Sequence, residues 1–120
     1  MRLAWRLAFL IGMTVASRAE TLSALEPSSV RVGIRNDLKI PVLVIGLTPG
    51  AGASIRLVPG ETVWERLPAQ SRRPVIVRDA QTGRVLLQTL IFVPDQGPVL
   101  YSLQFRPGSP GPMLLPTNPQ

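Results

Sequence analysis

Between residues 30 and 105 apolar and polar positions alternate in short runs, broken every eight to twelve residues by proline, glycine or asparagine. "VRVGIR" (30–35) sets Val30, Val32 and Ile34 on one side of an extended backbone and Arg31 and Arg35 on the other. That period of two predicts a half-buried strand. "IPVLVIGL" (40–47) is apolar on both sides and predicts a strand in the middle of a sheet, with Pro41 near its start, where a missing N–H is tolerated. "SIRLV" (54–58) is a short strand, and "ETVWERL" (61–67) is its return, with Val63, Glu65 and Leu67 on one face and Trp64 and Arg66 on the other. Between them, Pro59 presets φ and Gly60 accepts a positive φ, as the centre of a type II turn requires.

"PVIVRD" (74–79), "RVLLQTLIFV" (84–93) and "PVLYSLQF" (98–105) complete the set, joined by "AQTG" and "PDQG". The expectation is an all-β fold: a small antiparallel β-sandwich of seven strands over residues 30–105, after a polar lead-in at 20–29. Residues 106–120, "RPGSPGPMLLPTNPQ", carry five prolines and predict a disordered or polyproline-like tail.

The first nineteen residues have a different pattern. Arg2 and Arg6 precede the apolar run "LAFLIGMTVA", and Ser17 and Ala19 supply small residues at the −3 and −1 positions of a cleavage site. The run falls short of the roughly 20 residues that span a bilayer. This predicts a signal peptide over 1–19, export to a periplasmic or extracellular space, and contact with the membrane only through that signal. Removing Arg2, Arg6 and Arg18 from the thirteen basic residues leaves ten against seven acids, so a formal charge of +6 becomes +3. A mild arginine excess of this kind is no footprint for nucleic acid, which calls for a dense basic stripe.

The chain has no cysteine and no histidine. Disulfides, cysteine–histidine zinc sites, Ser–His–Asp triads and catalytic cysteines are excluded by composition, and no cofactor or metal is expected. The glycine-rich "TPGAGAS" (48–54) lacks the lysine and the following helix of a phosphate-binding loop. Glu61 and Glu65 share a strand face but sit roughly 13 Å apart at strand rise, and no pair of acids is spaced for general acid–base work. The reading is non-enzymatic.

Asp79 ends a buried strand before a turn that closes at Gly83, where its carboxylate can lock the turn by accepting main-chain N–H groups. Arg78, beside it, points to the other face. Trp64 and Tyr101 are the large aromatics with polar handles. With Arg66 and Arg73 they make a candidate basic, aromatic surface for a peptide or protein partner, set against the alternative that they plug the core or cover an edge. "SIRLV" and "ETVWERL", short and charged, are the candidate edges along which an extended segment could add. Two other functions are weighed: a structural component of an envelope assembly tethered by the proline-rich tail, and an accessory domain that binds carbohydrate.

The order of short motifs, Asn36 with "PV" (41–42), "LVPG" (57–60), "RDAQT" (78–82) and "LLQTLIFVP" (86–94), resembles the β domain of the von Hippel–Lindau tumour suppressor family. The resemblance spans about Val30 to Phe105 and implies a seven-stranded sandwich. In that family the domain binds an extended hydroxyproline-bearing peptide along a sheet edge, through a pocket of tyrosine, serine, histidine and tryptophan. In this chain the pocket tyrosine falls near Ser54, the histidine near Arg73, and the two tryptophans at Val75 and Leu43, so the resemblance carries over the scaffold and not the pocket.

Overall fold

The computed structural model describes residues 28–50 and 52–118, so the expected signal peptide and most of the lead-in lie outside the described residues. Eight strands form two four-stranded sheets: β1 (Ser29–Asn36), β2 (Val42–Ile45), β3 (Ser54–Leu57), β4 (Thr62–Pro68), β5 (Ser71–Asp79), β6 (Val85–Val93), β7 (Val99–Phe105) and β8 (Pro112–Thr117). Among the described residues there is no helix. One sheet runs β4-β1-β7-β8 and the other β3-β2-β5-β6. Alternation decides which side of each strand meets the core. Val30, Val32 and Ile34 of β1, with Leu67, Tyr101 and Leu103, face Val42, Val44, Leu57, Val75, Val77, Ile91 and Val93 of the other sheet, all in one buried cluster.

Two features correct the expectation of seven antiparallel strands. β1 pairs in parallel with β7, Val32 opposite Val99 through Asn36 opposite Leu103. Within the expected tail, Pro112–Thr117 form β8, antiparallel to β7 from Leu100 opposite Thr117 to Phe105 opposite Pro112. An edge strand needs ladder bonds on one side only. Pro112 and Pro116, four residues apart, turn their donorless nitrogens to the same side, which the open edge of the sheet accommodates.

β2 lies between β3 and β5, the central position its two apolar sides suggested. β5 starts at Ser71, so "PAQSRR" shortens to a tight connection around Gln70, whose φ is 55°. β3 and β4 each end a sheet, as do β6 and β8.

The connection between β1 and β2 is fixed by Asn36, which is fully buried. Its Nδ2 donates to the carbonyls of Ile40 (2.9 Å) and Leu57 (3.0 Å), and its Oδ1 accepts from Leu38 N–H (3.0 Å). Its main chain is also paired, donating to Glu61 O and accepting from Gly60 N–H. The amide therefore ties one sheet, its own loop and the end of the opposite sheet together, with its polar atoms satisfied.

Candidate functional site

Trp64 and Arg66 share the outer face of β4, as the alternation implied. Trp64 stands opposite Gly33, and a Cβ at Gly33 would come within 2.8 Å of its ring carbons, so the indole occupies the space a side chain there would fill. The Arg31 guanidinium lies 4.6 Å from the ring centroid, a cation–π distance. Arg66 is exposed and reaches Ser29 Oγ at 3.4 Å.

Tyr101 and Arg73 do not join them. Tyr101 is buried in the core, and its hydroxyl donates to Phe92 O at 2.6 Å. Burial pushes its phenol pKa above the ordinary value. Arg73 belongs to the other sheet, where Nη2 donates to the carbonyls of Gly46 (3.0 Å) and Leu47 (3.2 Å). The four positions separate into Trp64 and Arg66 on an outer face, a core phenol and an arginine spent on main-chain acceptors.

The turn residues have local partners. Gly60, with φ 88°, sits where Glu61 N–H donates to Val58 O, a type II arrangement after Pro59. Asp79 Oδ1 accepts from the N–H groups of Gln81 (2.8 Å) and Thr82 (3.2 Å), an Asx lock. These bonds, Gln81 first, hold its carboxyl pKa below the ordinary value. Gly83, φ 78°, donates to Asp79 O, and Arg78 Nη1 donates to Gly83 O at 2.8 Å. Arg78 thus serves its own turn.

At one end of the sandwich, Arg35 Nε binds Asp37 at 2.9 Å, Ser102 Oγ donates to the same carboxylate, and Gln104 Nε2 donates to Ser102 Oγ. A cleft of about 700 Å³ opens beside this network, walled by Leu38, Ile40 and Phe105. Ser102 is fully buried, so its hydroxyl is out of reach of a substrate. Among the described residues no three acids, histidines or cysteines gather as a metal site would need.

The four edge strands differ sharply in how they resist pairing. β3 has four residues and carries Arg56. β4 carries Arg66, ends at Pro68 and turns Glu65 inward, where its Oε2 accepts from Thr48 Oγ1 at 3.0 Å. β8 has Pro112 and Pro116. Short length, charge, inward carboxylates and proline are the devices that stop a sheet edge from acquiring another strand. β6, "VLLQTLIFV", has nine residues, no charge and no proline, and its one irregularity is a bulge at Leu86, short of Gln88 and Leu90.

The direction of its main-chain groups follows from its neighbours. The Phe92 carbonyl accepts from Tyr101 rather than from β5. On β5, the Pro74 carbonyl lies against Gly46 beyond the end of β2, so Val75, opposite Thr89, turns its own groups toward β6. Groups alternate along a strand, so Gln88 and Leu90 direct their N–H and C=O away from β5, where β6 has no partner strand among the described residues. Their side chains lie on the exposed outer face, Leu90 60% and Phe92 53% accessible. A groove of about 440 Å³ runs beside this edge, between residues 86–89 and residues 109–114. Sequence reasoning missed this edge because a long uncharged strand reads as an interior one; the missing signal was the strand order.

No protein-family model matches the chain, and no curated protein matches it. Val75 and Arg73 alternate on the core side of β5, whereas Leu43 and Ser54 are on the outer face of the same sheet.

Proposed function

We propose that the protein is an exported, non-enzymatic interaction module that takes an extended segment of a protein partner as a further strand on β6. The observation that carries this reading is the contrast among the edges: three are short, charged or interrupted by proline, and the longest is none of these. Main-chain bonds to Gln88 and Leu90 would supply affinity, and alternate side chains of the incoming segment would meet the exposed Leu90–Phe92 face or the groove beside residues 109–114. β6 is favoured over the sequence-based candidates β3 and β4 because those edges are short or charged. The motif order resembling the von Hippel–Lindau β domain is in keeping with edge binding, though the ligand of that family is not implied. A tether made of residues 106–120 is disfavoured, since six of those fifteen residues are spent on β8.

Displayed unstructured peptides selected on the wild-type protein test the reading. Leu90→Pro removes an outward N–H without touching the ladder to β5, and Leu90→Lys adds a charge to the edge. Selected peptides should bind the wild type and lose at least tenfold in affinity for both variants. Peptides that bind all three alike, or that fail only against Trp64→Ala or Arg66→Ala, would move the site to β4.

A further inference from the structure

The open groups on β6 are symmetric about one residue. Gln88 and Leu90 flank Thr89; beyond them, Phe92 O already accepts from the Tyr101 hydroxyl, and Leu86 O faces Gly111, where an added Cβ would stand 3.6 Å away. The side chains are close to symmetric too. Read from either end, "VLLQTLIFV" matches Val85 with Val93, Leu86 with Phe92 and Leu87 with Ile91, leaving only Gln88 against Leu90 unlike. Charge adds a direction. Arg84 precedes the strand and Asp95 follows it, both exposed.

We infer that the segment this edge takes is β6 of a second copy of the chain, added antiparallel about a two-fold axis at Thr89. The inference rests on the strand-addition reading above and names its partner. Gln88 exchanges both main-chain bonds with Leu90 of the second copy, and Leu90 with its Gln88, which uses the main-chain groups that both residues turn away from β5. Thr89 meets Thr89 at a non-hydrogen-bonded position, where side chains approach most closely. Antiparallel addition brings Arg84 of each copy toward Asp95 of the other, whereas a parallel arrangement would put Arg84 beside Arg84. The pair is exposed and contributes little affinity, but it selects the direction.

The interface is isologous and closes on itself, as a two-fold dimer must. The sheet β3-β2-β5-β6 becomes continuous across both copies. The other sheet stops at β8, whose prolines deny it a ladder. Packing through the outer face of β5 and β3 is disfavoured for two identical copies, because Arg56, Arg72 and Arg78 on that face would oppose the same residues. A foreign peptide and residues 1–27 are the other occupants the edge could hold, and the experiment separates them.

Sedimentation equilibrium of the purified protein over a hundredfold concentration range should report a monomer–dimer equilibrium whose dissociation constant rises at least tenfold in Leu90→Pro and in Leu90→Lys. Thr89→Cys places a thiol in a chain that has none, so mild oxidation should give a covalent dimer, while Gln81→Cys in the exposed turn should not. A strictly monomeric wild type with no Thr89→Cys cross-link overturns the second copy as partner, and so does a dimer that both Leu90 variants retain. If peptides selected on that monomer still fail against the Leu90 variants, strand addition stands with a foreign segment as its ligand. If no such peptide emerges, both readings fall. Should Leu90→Pro lose its cooperative melt, Leu90→Lys and the cross-link decide the matter.

Discussion

The side-chain amide of Asn36, at the end of β1, donates to the main-chain carbonyl of Leu57, at the end of β3 in the opposite sheet, across 3.0 Å of fully buried space. With the bonds to Ile40 O and Leu38 N–H it anchors the β1–β2 connection. Asn36→Ala would strand two buried main-chain groups, Leu57 O and Leu38 N–H, and a part-buried third, Ile40 O, and each orphaned buried group costs about 1–3 kcal/mol. Chemical denaturation should register a loss of about 3 kcal/mol or more. Asn36→Asp should be no milder at neutral pH, because a carboxylate would face two carbonyl oxygens.

Gly33 and Trp64 are expected to be energetically coupled. A methyl group at Gly33 meets the indole at 2.8 Å, so Gly33→Ala should cost about 1–2 kcal/mol through displaced packing. In a Trp64→Leu background most of that loss should vanish, and the double-mutant cycle measures the coupling directly. Equal losses in both backgrounds would mean that the ring yields freely.

Asp79 provides a pH test. Its folded pKa is depressed by the Gln81 and Thr82 N–H groups, so the folded state gains from its ionisation. That gain is complete above the unfolded value of about 3.9 and disappears as pH falls through the lower folded value. Asp79→Asn keeps an acceptor but not the charge. The stability difference between wild type and Asp79→Asn should therefore shrink on acidification through this window. A difference independent of pH would detach the carboxylate from the turn.

Tyr101→Phe removes the hydroxyl that caps the Phe92 carbonyl. Thermal melts should show a loss of about 1 kcal/mol, the scale of a single neutral hydrogen bond. The rest of the ring is core and unchanged, so a much larger loss would point to a wider rearrangement at the end of β6.

Much of the sandwich could be read from local pattern, because period-two alternation reports directly which face of a strand is buried. Trp64 and Arg66 share a face for that reason, and β2 lies inside its sheet because neither of its sides is polar. Pairing was not legible: β1 meets β7 in parallel across more than sixty intervening residues, and nothing local in either strand encodes that choice. β8 was hidden by its prolines, which oppose strand formation everywhere except at an edge. Arg73 and Tyr101 lie near Trp64 on neither sheet surface, since nearness along the chain says little about nearness across a sandwich. The Asn36 clamp depends on Leu57, twenty-one residues on, which nothing local to Asn36 encodes.

The unpartnered edge of β6 is the claim from which the functional reading follows, and residue-resolved amide exchange tests it most directly. In dilute protein, below the dissociation constant of any dimer, the N–H groups of Gln88 and Leu90 should exchange quickly while those of Leu87, Thr89 and Ile91, bonded to β5, stay protected. Uniform protection along residues 87–91 at the lowest concentration would mean that the edge is already covered, and would contradict the account.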